Sequence, residues 1–178
     1  MKDDLGDRMK KLELHWGVNH TIPNSNHLYV RVDGNNFSKW TRNVGLTFAS
    51  KAMQKAMRDA TKFTIDKFGF DVGYTQSDET SFGSFVSANP MTQHNFGGRI
   101  SKLTSLVASY YTAVFMEACS MYGIDTNLAD FPIFDARVVG FSHDSNFQEM
   151  FYWRYLDCKR NALNGFARTK YSAKQLHK

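Results

Sequence analysis

Cysteine is scarce in this chain. Only Cys119 and Cys158 occur among 178 residues, which excludes a disulfide framework and a thiolate zinc cluster. The histidines His15, His20, His27, His94, His143 and His177 follow no metal-ligand spacing either. A reducing, cytoplasmic setting is the simplest expectation. No apolar run is long enough to cross a bilayer, and the charged start Met1-Lys2-Asp3-Asp4 lacks the apolar core of a signal peptide. A soluble protein with no membrane partner is therefore expected. Internal repeats, low-complexity tracts and linkers are absent as well. The net charge of +5 and pI near 9.2 lean toward polyanions such as nucleotides or RNA without deciding the matter. What is plentiful is core material: 42% of all residues are apolar and 15% of all residues are aromatic, which suffices for one folded domain.

Periodicity supplies the order of elements. Leu28, Val30 and Val32 alternate with Tyr29, Arg31 and Asp33, the pattern of a half-buried strand whose Asp33 faces away from the aliphatic side. Ala49, Ala52, Met53, Ala56, Met57, Ala60 and Phe63 recur at helical spacing among Lys51, Lys55, Arg58, Asp59 and Lys62, predicting an amphipathic helix to about Phe68, stopped by Gly69. Phe70 to Thr75 and Thr80 to Val86 read as two strands joined through Ser77-Asp78-Glu79, so Asp78 sits at a hairpin tip. A second helix is expected from about Phe96 to Tyr122, with Ile100, Leu103, Val107, Val114 and Met121 inward, ended by Gly123. Phe134, Ala136 and Val138 alternate with Asp135 and Arg137 in a fourth strand. Ser142 to Asn146 then offers capping residues before a third helix bearing Trp153 and Leu156. The order β-α-β-β-α-β is that of an α+β, ferredoxin-like sheet in which the first and third strands lie side by side at the centre, bringing Asp33 near the Asp78 hairpin.

Asp33 and Asp78 are the leading candidates for chemistry. Magnesium keeps most of its water and is held by one or two carboxylates plus substrate phosphates, so aspartates at strand ends suit a nucleotide site. Two such ions serve both oxygens of a phosphoryl transfer. Asp-Gly and Ser-Asp are also ordinary turn dipeptides, and each aspartate taken alone is compatible with that reading. After Asp33, Gly34-Asn35-Asn36-Phe37-Ser38-Lys39-Trp40 reads as a turn able to turn backbone N–H groups toward a triphosphate, or as a plain polar turn. Arg99 and Lys102 share one helix face and are candidates for phosphate contacts, solvated cations being the alternative. Arg154, Asp157 and Asn161 form a polar stripe on the last helix, which an Arg-Asp helix pair also explains.

With these residues in place, the chain resembles the tRNA-His guanylyltransferase family, and within it the Thg1-like branch of 3′-to-5′ polymerases. The resemblance is carried in order by Leu5-Gly6-Asp7-Arg8-Met9-Lys10, Arg31-Val32-Asp33-Gly34-Asn35-Asn36-Phe37, and Gly73-Tyr74-Thr75-Gln76-Ser77-Asp78-Glu79-Thr80-Ser81-Phe82. It continues through Gly98-Arg99-Ile100-Ser101-Lys102, Phe134-Asp135-Ala136-Arg137-Val138-Val139 and Trp153-Arg154-Tyr155-Leu156-Asp157-Cys158-Lys159-Arg160-Asn161. Any one segment is weak, whereas six in order are specific.

The resemblance implies a single polymerase- or cyclase-type palm domain over residues 1–178 with an additional carboxyl-terminal helix. It implies two Mg2+ ions on Asp33, Asp78 and the Gly34 carbonyl, with Glu79 accompanying them as a catalytic carboxylate. Asp33, Gly34, Asn35, Asn36, Phe37, Ser38, Lys39, Ser77 and Asp78 would hold the nucleotide, GTP or ATP. Arg99, Lys102, Arg154 and Asn161 would meet phosphates or RNA. The activity implied is nucleotide addition to a tRNA 5′ end, the 3′ hydroxyl of the incoming nucleotide attacking an activated 5′ phosphate, by a homo-oligomer, tetramer or dimer. Two departures stand out. Lys159-Arg160-Asn161-Ala162-Leu163-Asn164-Gly165 replaces the histidine-led, asparagine-rich motif of the eukaryotic enzymes, which favours templated repair. The chain also closes at Lys178, where family members continue with further elements. Two other readings fit the same core: a nucleotide cyclase, and a non-catalytic RNA-binding module stacking bases on Tyr29, Phe82 and Phe85.

Overall fold

A computed structural model of the chain describes residues 20–46, 50–89, 91–126 and 131–172, together with 8, 9, 12 and 175. Most of the segment Leu5 to Lys10, and Ala49 at the expected helix start, lie outside the described residues. Four strands, β1 (His27–Asn35), β2 (Val72–Gln76), β3 (Glu79–Ser84) and β4 (Ile133–Phe141), form one antiparallel sheet in the order β2-β3-β1-β4. The expected adjacency of the first and third strands is thus present. Asp33 is the register partner of Glu79 on β3 and of Asp135 on β4.

Four helices, counted among the described residues, complete the α+β fold: α1 (Phe37–Asn43), α2 (Lys51–Phe68), α3 (Ile100–Met121) and α4 (Asp144–Arg168). The inward set of β1, Leu28, Val30 and Val32, is fully buried against Ala56, Met57 and Ala60 of α2 and Leu103, Val107, Tyr111 and Phe115 of α3. Each such side chain removed from water contributes about 1.5–3 kcal/mol, which outweighs the modest propensity of either helix taken alone. Ser50 caps α2 by accepting from the Met53 amide, and Gly69 closes it at φ +62°, a left-handed conformation natural to glycine. The opposite sheet face is covered by α4. Phe147 and Phe151 pack there against His27 and Tyr29, and His27 bonds Asp144 at 2.7 Å through Nε2 while its Nδ1 accepts the Val86 amide, so the Nε2 proton is the one donated.

Three local expectations are corrected. The segment after Asp33 is a turn only at Asn36, which is left-handed at φ 53°, and Phe37–Asn43 is a short helix because Phe37 and Trp40, three apart, both enter the core beside Phe115 and Phe134. Second, α3 begins at Ile100, since Phe96 and Gly97 have positive φ within a 3-10 turn. Third, Phe63 and Met121 are 43% and 63% exposed, because the buried stripe of α2 runs instead through Thr61, Thr64 and Phe68 and that of α3 ends at Cys119.

Candidate active site at the carboxylate edge of the sheet

The strand ends bring Asp33 and Asp78 to the same edge. Strand pairing places Asp33 at the end of β1 beside the two-residue turn Ser77-Asp78, where Ser77 is left-handed at φ 49°. The Gly34 amide donates to the Asp78 carbonyl at 3.0 Å, tying the strand end to the hairpin tip. The Ser77 hydroxyl donates to Asp78 Oδ1 at 2.9 Å and fixes that carboxylate. Gly34 is needed for close approach, since a Cβ there would lie 2.3 Å from Cδ2 of the buried Phe37 ring.

Both carboxylates are poorly compensated. Burial raises Asp33 above the ordinary carboxylate range, with the charges of Glu79 and Asp135 adding to the rise against Arg31 and Arg137. Burial also raises Asp78, opposed by the Ser77 hydrogen bond and aided by the charge of Asp33. Two part-buried carboxylates, the charge of one raising the other, are an arrangement a cation relieves. Among the described residues no three His, Cys, Asp or Glu side chains form a group able to cage a metal. The donor set is two carboxylates and neighbouring backbone carbonyls, all hard oxygens. It therefore fits magnesium, which completes its shell with water and substrate phosphates, and does not fit zinc.

Glu79 stands differently. It is buried, and Arg154 of α4 forks onto it, Nε to Oε1 at 2.7 Å and Nη2 to Oε2 at 2.6 Å. Burial works against the Arg154 charge, but the hydrogen bond and charge of Glu79, with Asp157, outweigh it and hold the guanidinium above its usual pKa. Asn161 donates to Asp157 at 3.3 Å, so the expected polar stripe is present as a linked chain. Arg31, two residues before Asp33, leaves its buried Nε without a hydrogen-bond partner, 4.0 Å from the same Glu79.

Asn35, Asn36, Ser38 and Lys39 are exposed next to Asp33, while the Phe37 side chain is buried and unavailable to a ligand. Arg99 and Lys102 are not brought to this edge. Thr21 bridges to Arg99, and His94 bonds the Asn26 carbonyl at 2.9 Å, so that segment sits at the His27 end of β1. Six residues of strand, about 20 Å, separate His27 from Asp33. A cavity of about 330 Å³ near the same far end is lined by Asn24, Asp71, Ser84, Thr92, His94 and Asn95 among others, away from the carboxylates. Sequence reasoning missed Asp135 and Arg31 as neighbours of Asp33. The alternation Phe134-Asp135-Ala136-Arg137 already set Asp135 on the polar side, but its register opposite Asp33 becomes visible only in the sheet. Of the three aromatics offered for base stacking, Tyr29 is buried under α4 and Phe82 on the opposite face against Phe70 and Tyr111, while Phe85 is 52% exposed and packs edge-on against His27 and Phe147, so the three form no common stacking face.

The fold defines the class, that of Thg1-like proteins. A bacterial tRNA(His) guanylyltransferase (Thg1)-like protein solved in complex with GTP superposes with a TM-score of 0.84 and 26% identity, covering 95% of this chain and 78% of that one. A bacterial protein of the same description in complex with ATP gives 0.88 and 27%, covering 98% and 74%. The chain belongs to the tRNA-His guanylyltransferase family, whose model matches residues 6–142. Among curated relatives, an uncharacterised protein of Acanthamoeba polyphaga mimivirus is 33% identical over 190 residues, covering 94% of this chain and 63% of its own length. The probable tRNA(His) guanylyltransferase of Mus musculus is 30% identical over 136 residues, covering 75% and 44%. The chain therefore spans less than two thirds of either relative. No helix among the described residues is long and apolar enough to cross a membrane.

Proposed function

We propose that this chain is a magnesium-dependent nucleotidyltransferase that adds nucleotides in the 3′-to-5′ direction to a tRNA 5′ end, and that its sheet is a ferredoxin-like palm forming one catalytic domain. The observation that carries the reading is the joined edge of Asp33, Gly34 and Asp78 in a chain of the tRNA-His guanylyltransferase family. Relatives of this fold solved with GTP and with ATP support nucleoside triphosphates as substrates.

In this reading Asp33, Asp78 and the Gly34 carbonyl hold two magnesium ions. Bound there, the ions would lower the pKa of a hydroxyl and neutralise a departing phosphate. The chain's own residues do the positioning. Ser77 orients Asp78, and the Gly34–Asp78 backbone bond keeps both carboxylates in one frame. Asn35, Asn36, Ser38 and Lys39, with the Phe37 backbone, line the approach to Asp33 and would hold the incoming nucleotide. Holding that nucleotide's 3′ hydroxyl against the RNA 5′ phosphorus supplies the entropic part of the rate. Arg99 and Lys102, at the far end of the sheet, would meet RNA phosphates remote from the reacting centre, and Asn161 would meet RNA from α4. The homo-oligomer and cytoplasmic location implied by the resemblance belong to the same proposal.

The test is incubation with magnesium, mixed nucleoside triphosphates and a 5′-triphosphorylated tRNA lacking its first nucleotide, with products resolved at single-nucleotide length. Extension that is lost in Asp33→Ala and Asp78→Ala is expected. Cyclic nucleotide formed without RNA, or full extension by either variant, would overturn the assignment.

A further inference from the structure

The Arg154 stripe, read from the sequence as RNA-facing, is turned toward the sheet where it matters. Arg154 is 9% exposed, and Glu79, the first residue of β3, directly follows Asp78. Both Glu79 oxygens are occupied: Oε1 accepts from Arg154 Nε and, at 3.3 Å, from Gln76 Nε2, and Oε2 accepts from Arg154 Nη2. We propose that Arg154 is a positioning residue, and that its fork onto Glu79 is a clasp by which α4 holds the Asp78 hairpin in place. Glu79 is the anchor of that clasp and not a third metal ligand.

Four observations carry this. A planar guanidinium meeting a carboxylate through two bonds fixes orientation as well as distance, which a lysine cannot do. The guanidinium is itself held from its own helix, by Asp157 Oδ2 on Nη2 at 3.0 Å and by the Trp153 ring, whose centroid lies 4.6 Å from its central carbon. Asp157 is in turn bonded by Arg160 and by Asn161. Helix α4 is pinned at its other end by Asp144 on His27, with Phe147 and Phe151 seated on the sheet between, so it supplies a fixed base for the fork. Finally, the hairpin has only a two-residue turn, so the place of Glu79 sets that of Asp78, whose carbonyl is bonded to Gly34. The link from Arg154 to the metal edge rests on the reading of Asp33 and Asp78 given above.

The experiment compares the full chain with Arg154→Met, Glu79→Met and the double variant. Removing both charges of a buried pair is far better tolerated than removing one, so the double variant retains the fold. Amide hydrogen exchange of residues 75–80 is read against residues 134–139 without metal or nucleotide, and Mn2+ binding is read by electron paramagnetic resonance with GTP present. Each single variant is expected to speed hairpin exchange by about tenfold relative to the reference strand and to weaken Mn2+ binding by a similar factor, and the double variant, which lacks the same clasp, is expected to match the single variants without a further loss. Arg154→Lys, which keeps the charge without the fork, is expected to show the same hairpin-confined change at smaller size. Unchanged hairpin exchange in Arg154→Met, or an equal rise in the reference strand, would overturn the clasp. A loss of Mn2+ binding in Glu79→Met well beyond that in Arg154→Met would make Glu79 a direct ligand and overturn it too. If the unmodified chain binds no Mn2+ with GTP, the metal reading of Asp33 and Asp78 fails, and the exchange comparison still decides the clasp.

Discussion

The amide of Gly34 donates to the carbonyl of Asp78 at 3.0 Å, so two carboxylate-bearing segments 44 residues apart share one backbone frame. That bond turns the end of a strand and the tip of a hairpin into a single edge. Removing either carboxylate there should leave the frame standing while removing its chemistry. Asp33→Asn and Asp78→Asn are expected to keep the native circular dichroism spectrum and to lose about 10²-fold or more in single-turnover nucleotide addition. Activity within a few-fold of the unmodified chain in either variant would remove that residue from the site.

Gly34→Ala should act through packing. The added methyl would lie 2.3 Å from Cδ2 and 2.6 Å from Cγ of Phe37, a ring wedged among Trp40, Phe115 and Phe134. Such overpacking costs about 1–3 kcal/mol, and a chain of this size loses about 2–4 °C in Tm for each 1 kcal/mol. Differential scanning calorimetry should therefore show a drop of several degrees.

Tyr111 sets an alkaline limit. Burial, only partly offset by hydroxyl partners including Thr61 and Thr80, pushes its phenol from 10.0 to about 12. Because the folded state keeps the proton longer, this group's stability is fully present below pH 10 and is lost as pH rises toward 12. Tyr111→Phe should move the onset of alkaline unfolding upward while costing about 1 kcal/mol at neutral pH through the lost bond to Thr80, which is 2.7 Å long. Urea titrations at pH 7 and pH 11 check both halves.

The two cysteines should differ sharply toward iodoacetamide. Burial pushes the Cys119 thiol up to about 12 and encloses it, whereas Cys158 is part-exposed on α4. Since the thiolate is the reactive form, native protein at pH 8 is expected to gain one adduct, on Cys158, and denatured protein two, as read by mass spectrometry.

Arg99 and Lys102 should affect RNA without affecting the nucleotide. They lie at the His27 end of the sheet, about 20 Å of strand from Asp33. Arg99→Ala and Lys102→Ala are each expected to lower the salt dependence of tRNA binding by about one unit of slope and to leave GTP affinity unchanged.

Much of this was legible because periodicity is local. The alternation through Leu28 to Asp33 and the helical spacing of Ala56, Met57 and Ala60 each report a face that really is buried. The short helix after Asp33 was hidden by Gly34, Asn35 and Asn36, whose turn character masks the three-residue spacing of Phe37 and Trp40. Phe63 and Met121 were assigned inward because a stripe of apolar residues does not reveal where its neighbour ends. The fork between Glu79 and Arg154 joins positions 75 residues apart, and Asp135 meets Asp33 only through sheet register, so neither leaves a local trace. The motif resemblance reached the carboxylate edge by family pattern. The same pattern offers Arg99 and Lys102 for phosphate or RNA contacts, and only the sheet sets them at the end away from Asp33.

The central claim is the direction of growth, and the fate of one phosphate reads it. In 3′-to-5′ addition the incoming nucleotide keeps its triphosphate as the new RNA 5′ end, and the pyrophosphate released comes from the RNA. With γ-32P-labelled GTP and a 5′-triphosphorylated tRNA lacking its first nucleotide, label is therefore expected at short times in an RNA one nucleotide longer. Label released as pyrophosphate while the RNA lengthens would show growth at the 3′ end and contradict the account.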